Sequence, residues 1–188
     1  YRPIGSVKLG IALAQFNESE KESFDLYFIS HYRAELFFSD APVHFRGLEH
    51  AHHRLFKNLI DYASTQNLSV AVASKTREFD LQNTELDYFR SIAGGFDFQF
   101  IRGDKSIHEF DTYRAGFISD LVVDLSSTLG FELLSAGTKV LFGASQEPHL
   151  ITQWGIEHYF ETLPDAVKLK SSSKEEFFRT CDRIRRMS

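Results

Sequence analysis

The pattern around which the chain is built is an apolar run without alternation, Leu121, Val122, Val123 and Leu125. Three hydroxyl residues, one helical repeat, a stop glycine and a second apolar run ending at Phe142 follow it. A buried parallel strand–helix–strand unit reads this way, because a strand covered on both faces has no polar side to alternate with. The same signals repeat along the chain. Val7 to Ala14 reads as a first strand, and Gln15 to Ser23 as the loop after it. Leu26 to Ile29 is strand-like, while Tyr32 to Phe38 suits either regular structure. Gly47 to Thr65 is the clearest long helix, with Leu48, Leu55, Phe56, Leu59, Ile60 and Ala63 at helical spacing. Leu68 to Ala73 is a short strand, and Thr84 to Ala93 a helix closed by Gly94-Gly95. Phe96 to Ile101 alternates, which suits a strand near a sheet edge. His108 to Phe117 is a short helix, Thr138 to Phe142 a strand, and Val167 to Leu169 a last short strand. Ser172 with Glu175, or Ser173 with Glu176, starts a final helix through a capping box.

Strands alternating with helices, joined by right-handed crossovers, predict an α/β fold: a Rossmann-like parallel sheet with helices on both faces. A chain of 188 residues holds one such domain, 1–188, and not two. Tyr1 stands where a methionine would, and Met187-Ser188 follow directly on a helical repeat. Both ends therefore read as cuts in a longer polypeptide.

Composition narrows the function. A formal net charge of −5 disfavours a nucleic-acid surface. Nineteen phenylalanines are scattered as core residues would be, so they point to packing and not to base stacking. Cys181 is the single cysteine, which excludes disulfides within the chain and cysteine-based zinc sites. No apolar stretch is long enough for a transmembrane helix and no signal-peptide pattern is present, so a cytoplasmic location is expected. No Gly-x-Gly-x-x-Gly or Walker loop appears. That disfavours dinucleotide oxidoreduction and P-loop hydrolysis, and no cofactor is expected.

The hydroxyl triplet carries the main chemical signal. Ser126, Ser127 and Thr128 fall at the first turn of the predicted helix, where unpaired backbone N–H groups and the positive end of the macrodipole favour an anion such as phosphate. Gly130 allows close approach there. Glu132 lies one turn from Thr128 on the same face, about 5–6 Å away, placed to accept from the hydroxyls of an attached ribose. The same residues also serve as an ordinary helix cap. Gly137 ends the helix where a left-handed residue is wanted.

The run Ser126-Ser127-Thr128-Leu129-Gly130-Phe131-Glu132, followed by Ala136-Gly137 and Lys139-Val140-Leu141-Phe142, resembles the donor-binding segment of GT-B glycosyltransferases. It is closest to those of bacterial surface-carbohydrate and capsule biosynthesis. The resemblance extends from about residue 68 to the end, through the approach from Tyr113 to Asp120 and the Ser-x-x-Glu-Glu-Phe helix. It implies the C-terminal, donor-binding half of a two-domain enzyme. Ser127 and Thr128 would hold the donor's phosphate and Glu132 its ribose, with an N-terminal domain missing from the chain. Asp124 precedes Glu132 by eight positions, the spacing of paired glutamates in one large retaining branch of these enzymes. The Gly-Phe-Gly pattern around that pair is absent, so its sugar-contacting role is not carried over.

Other residues are candidates by place. Lys75 and Arg77, at the end of a predicted strand, could neutralise a diphosphate or an acidic sugar. Gln15 and Asn17 would line the crevice if they follow a first strand. By the resemblance, Gln146, Glu147 and His149 would border the donor sugar. His44, His50, His52 and His53 cluster near the start of the long helix, but their spacing is not His-Glu-x-x-His. A polar helix face is expected there, with no metal.

The expected function is transfer of a sugar from a nucleotide-sugar donor to a glycan or lipid-linked acceptor, in capsule, O-antigen or lipopolysaccharide-type biosynthesis. Peripheral association with the inner face of the membrane is open for the full-length enzyme. The alternatives are a CDP-alditol phosphotransferase of the teichoic-acid type, a sugar-nucleotide epimerase, which should show more acid and base residues, and a non-catalytic α/β interaction domain.

Overall fold

A computed structural model describes residues 6–16, 23–32, 43–76, 79–102, 110–143 and 157–187. The elements are α1 (Val7–Gln15), β1 (Phe24–Ile29), α2 (Val43–Gln66), β2 (Val70–Ala73), α3 (Phe79–Ala93), β3 (Gln99–Ile101), α4 (Asp111–Phe117), β4 (Ser119–Asp124), α5 (Thr128–Ser135), β5 (Val140–Phe142), α6 (Glu157–Thr162) and α7 (Lys174–Arg185). The five strands form one parallel sheet in the order β3-β2-β1-β4-β5. The fold is the α/β sheet that the alternation predicts.

Burial explains the unbroken apolar runs. Leu26 to Ile29, Val70 to Ala73, Leu121 to Val123 and Val140 to Phe142 are all buried, because helices cover both faces. Phe28 points to one face, where its ring meets Phe56 of α2 and Phe89 of α3. Tyr27 points to the other and donates from its hydroxyl to Thr112 O in α4, at 2.9 Å. Phe96, Phe98 and Phe100 pack against the core beside β3, which is the edge strand the alternation called for.

Two predicted elements are corrected. Residues 7–14 form helix α1 and not a strand. Ser6 caps it by accepting from Leu9 N at 3.2 Å, and Ala12 is its buried residue. The alternation of Val7, Leu9, Ile11 and Leu13 misled because α1 lies on the surface, with Val7 74% exposed and Ile11 and Leu13 over 40%. Phe16, just after α1, packs on Phe117 at the end of α4. Gln15 therefore lies toward the start of β4, at the opposite end of the sheet from the crevice predicted for it. Asn17 lies outside the described residues. The second correction is at residues 167–169, where a 3-10 turn, Asp165–Val167, leads to a single bridge between Lys168 and Phe142 instead of a strand.

Of the two capping frames before α7, Ser173 is the one formed, accepting from Glu176 N at 3.2 Å. Among the described residues no helix is long and apolar enough to cross a membrane.

Candidate functional site

In a parallel sheet of order 3-2-1-4-5 the chain reverses its direction of growth between β1 and β4. The carboxyl ends of those two strands then open a crevice where ligands of such folds bind. Side-chain alternation decides what each strand sends there. Ser30 continues the face of Phe28 and turns to α3. His31 continues the face of Tyr27 and turns toward β4, where Asp124 ends that strand.

His31 and Asp124 meet. His31 Nε2 lies 2.9 Å from Asp124 Oδ1, and the carboxylate accepts the ring N–H. Ser126 N is 3.4 Å from the same nitrogen, but a ring nitrogen that donates to a carboxylate has no lone pair to offer. We therefore treat that approach as proximity and not as a bond. The other oxygen of Asp124 accepts from Ser127 N at 2.7 Å, and the Ser127 hydroxyl accepts from Gly130 N at 3.0 Å. Asp124 is fully buried, whereas the His31 side chain keeps 12% exposure, enough for a ligand to reach it.

The hydroxyl triplet is thus where the sequence placed it, with Ser127 as the N-cap of α5, Thr128 exposed at its first position and Ser126 half-buried. Gly130 has a more definite reason to be glycine than an approaching ligand. A Cβ there would lie 2.1 Å from Asp124 Oδ2, so the missing side chain makes room for the buried carboxylate. Gly137, at φ +92°, ends α5 as expected.

Glu132 is half-buried and accepts a short hydrogen bond from the Tyr113 hydroxyl in the first part of α4. Burial first, then the bond to Glu132, pushes the Tyr113 phenol well above its ordinary value, so it remains a donor. Thr128 and Glu132 stand one turn apart on α5, as the spacing predicts.

Lys75 is exposed just past the carboxyl end of β2, and its backbone N donates to Glu85 Oε1 at 2.9 Å. Arg77, Gln146, Glu147 and His149 lie outside the described residues. The histidines of α2 separate: His50 and His53 are exposed, as a polar face requires, but His52 is buried at 2%. That corrects the expectation of a polar face at this residue, and the reason is its partner. His31 N donates to His52 Nε2 at 3.1 Å, and the ring lies parallel to Tyr88 at 7°. Burial first, then His31 and His53, holds the His52 imidazole well below its ordinary pKa, so it is neutral and can accept. Among the described residues no group of histidines, cysteines or carboxylates is arranged to hold a metal.

Sequence reasoning missed His31, Glu85 and the roles of His52 and Asp124. A signal for the first and last was present: each is an ionisable residue at or just past the carboxyl end of an otherwise apolar strand.

Fold and crevice define a GT-B-like, Rossmann-type domain. A solved structure shares it: "putative UDP-N-acetylglucosamine 2-epimerase from Listeria monocytogenes" superposes with a TM-score of 0.55 over 98% of this chain at 13% identity, and this chain spans 47% of that one. No curated protein matches the chain. Residues 1–155 match the model of a family described as "putative O-antigen biosynthesis protein", and the chain belongs to that family.

Proposed function

We propose that the crevice between β1 and β4 binds the nucleotide-sugar donor of a glycosyltransferase in surface-polysaccharide biosynthesis. The observation that carries this reading is the convergence of His31, Asp124 and Ser127 at the switch point, where Ser127 caps the helix that Thr128 begins. The first turn of α5, with Ser126, Ser127 and Thr128, faces the phosphates, and Glu132 takes the ribose hydroxyls. Lys75, just past the end of β2, balances the diphosphate charge, and Arg77 follows it two residues on in the sequence. As the sugar leaves, fixed N–H dipoles at the start of α5 stabilise the charge left on the phosphate. His31, oriented by Asp124, is the group placed to exchange a proton with the ligand. The family description and the epimerase-like fold support the same substrate class.

A second reading, a sugar-nucleotide epimerase, is favoured by the His31–Asp124 pair, since epimerisation needs an acid–base group at the sugar. Calorimetric titration with CMP, CDP, UDP and GDP tests the shared part. One nucleotide should saturate, with affinity at least tenfold weaker in Glu132→Ala and in the Ser127→Ala, Thr128→Ala double variant, both still folded. A folded wild type that binds none of the four at millimolar concentration contradicts the reading and favours an interaction domain. CDP saturation with turnover of a CDP-alditol would move the assignment to the phosphotransferase. Epimerisation at C2 breaks the C2–H bond, so incubation with UDP-N-acetylglucosamine in D2O separates the remaining two. Deuterium at C2 without an acceptor indicates the epimerase.

A further inference from the structure

Behind the crevice, the side chain of Glu85 in α3 is fully buried and reaches the carboxyl ends of both β1 and β2. Its Oε1 faces the Ser30 hydroxyl and Lys75 N, the latter at 2.9 Å. Its Oε2 faces the Ser74 hydroxyl at 2.7 Å and Thr76 N at 3.1 Å. One turn earlier on the same helix, the buried Gln82 donates to Thr76 O at 2.9 Å. A carboxylate with two oxygens offers about four lone-pair sites, and four donors occupy them here. The backbone beyond Ser30 is fixed as well. Ser30 N donates to Ala73 O, His31 N to His52 Nε2 and Tyr32 N to the Ser30 hydroxyl, so three consecutive N–H groups are held.

We infer that Glu85 is a positioning residue of the crevice: one buried carboxylate sets both the loop that presents Lys75 and the strand exit that presents His31. Burying a carboxylate is costly unless its oxygens are hydrogen-bonded, and here an apolar residue would in turn leave two hydroxyls and the backbone N–H groups of Lys75 and Thr76 without their acceptor. Two walls of a ligand crevice held by one group account for the glutamate. The inference rests on the crevice being the nucleotide site proposed above, but its first readout does not need a nucleotide.

Glu85→Gln keeps the shape and replaces one acceptor oxygen by an amide N–H that faces donors. In the nucleotide-free full chain, amide exchange at Lys75 and Thr76 should rise at least tenfold and the imidazole NMR signals of His31 should shift. Tyr62→Phe, which removes a bond to Asp182 at the other end of the sheet, should leave both unchanged. Affinity for whichever of CMP, CDP, UDP and GDP binds wild type should fall at least tenfold in Glu85→Gln and stay within twofold in Tyr62→Phe. If Glu85→Gln does not fold, Ser74→Ala removes a single donor and should give a smaller rise at Lys75 and Thr76. Loop exchange and His31 signals like wild type, or an exchange rise shared equally by all strands, would overturn the inference. If wild type binds none of the four nucleotides, the nucleotide reading fails while exchange and His31 signals still decide the role of Glu85.

Discussion

The two ends of the sheet handle charge in opposite ways. At the amino ends of the strands, Asp25 and Asp120 keep 39% and 38% side-chain exposure and meet Arg185 of α7, with Lys139 joining Asp120 at 3.3 Å. At the carboxyl ends, Glu85 and Asp124 are wholly buried and served by hydroxyls, backbone N–H groups and the His31 ring. Exposed ion pairs cost little to form and contribute little, about 0–1 kcal/mol each. Buried carboxylates cost several kcal/mol to desolvate and need every lone pair answered. The amino end therefore tolerates change, and the carboxyl end holds the buried groups on which the proposed site depends.

Substitutions can break that contrast in order of severity. Gly130→Ala should be the most damaging, since its Cβ would strike the Asp124 carboxylate. We expect a loss of about 3 kcal/mol in chemical denaturation, far above the ordinary gain from removing a helical glycine. Asp124→Ala leaves the His31 ring N–H and Ser127 N without their acceptor. It should cost about 2 kcal/mol and abolish calorimetric nucleotide binding.

The pH dependence of stability follows from His52. Its native pKa lies below the unfolded value of about 6.5, so at acid pH the unfolded chain binds a proton that the native one does not. The stability it contributes is complete above about pH 6.5 and is lost as pH falls below that toward the depressed native value. The slope should approach about 1.4 kcal/mol per pH unit and be reduced in His52→Asn, as read by thermal melts between pH 7 and 5. The smallest effect belongs to the amino end. Lys139→Ala should cost about 0.5 kcal/mol and leave nucleotide affinity unchanged. A large loss of binding there would sink the division between the two ends.

How much of this could be read in the sequence differs between the same two kinds of feature. Local rules fixed what local rules govern. The apolar runs gave β1, β2, β4 and β5, the hydroxyls at 126–128 and Gly137 bracketed α5, and the two capping frames at Ser172 and Ser173 placed the start of α7 to within a residue. Helix α1 failed because a surface helix with an apolar outer side satisfies an alternating pattern as well as a strand does. The candidate site was legible in part. Ser126, Ser127, Thr128 and Glu132 sit in one contiguous segment, whereas the His31–Asp124 bond joins residues 93 positions apart, and the Ser30–Glu85 bond residues 55 apart. No spacing rule reaches across that distance. Only the strand order and the alternation of side chains bring such residues together. Gly130 shows a different limit: Asp124 is only six positions away, but that its carboxylate folds back over the glycine is set by the turn between β4 and α5.

Among the described residues the outermost strands, β3 and β5, are three residues each, and the backbone beside β5 is occupied by the bridge from Lys168 to Phe142, with Leu169 N donating to Phe142 O at 3.2 Å. Sheet rims that offer so short a row of N–H and C=O groups make a poor template for another chain. Among the described residues the Phe-rich interior, which would drive self-assembly if a longer strand lay bare at the rim, thus meets no long edge along which polymers could grow.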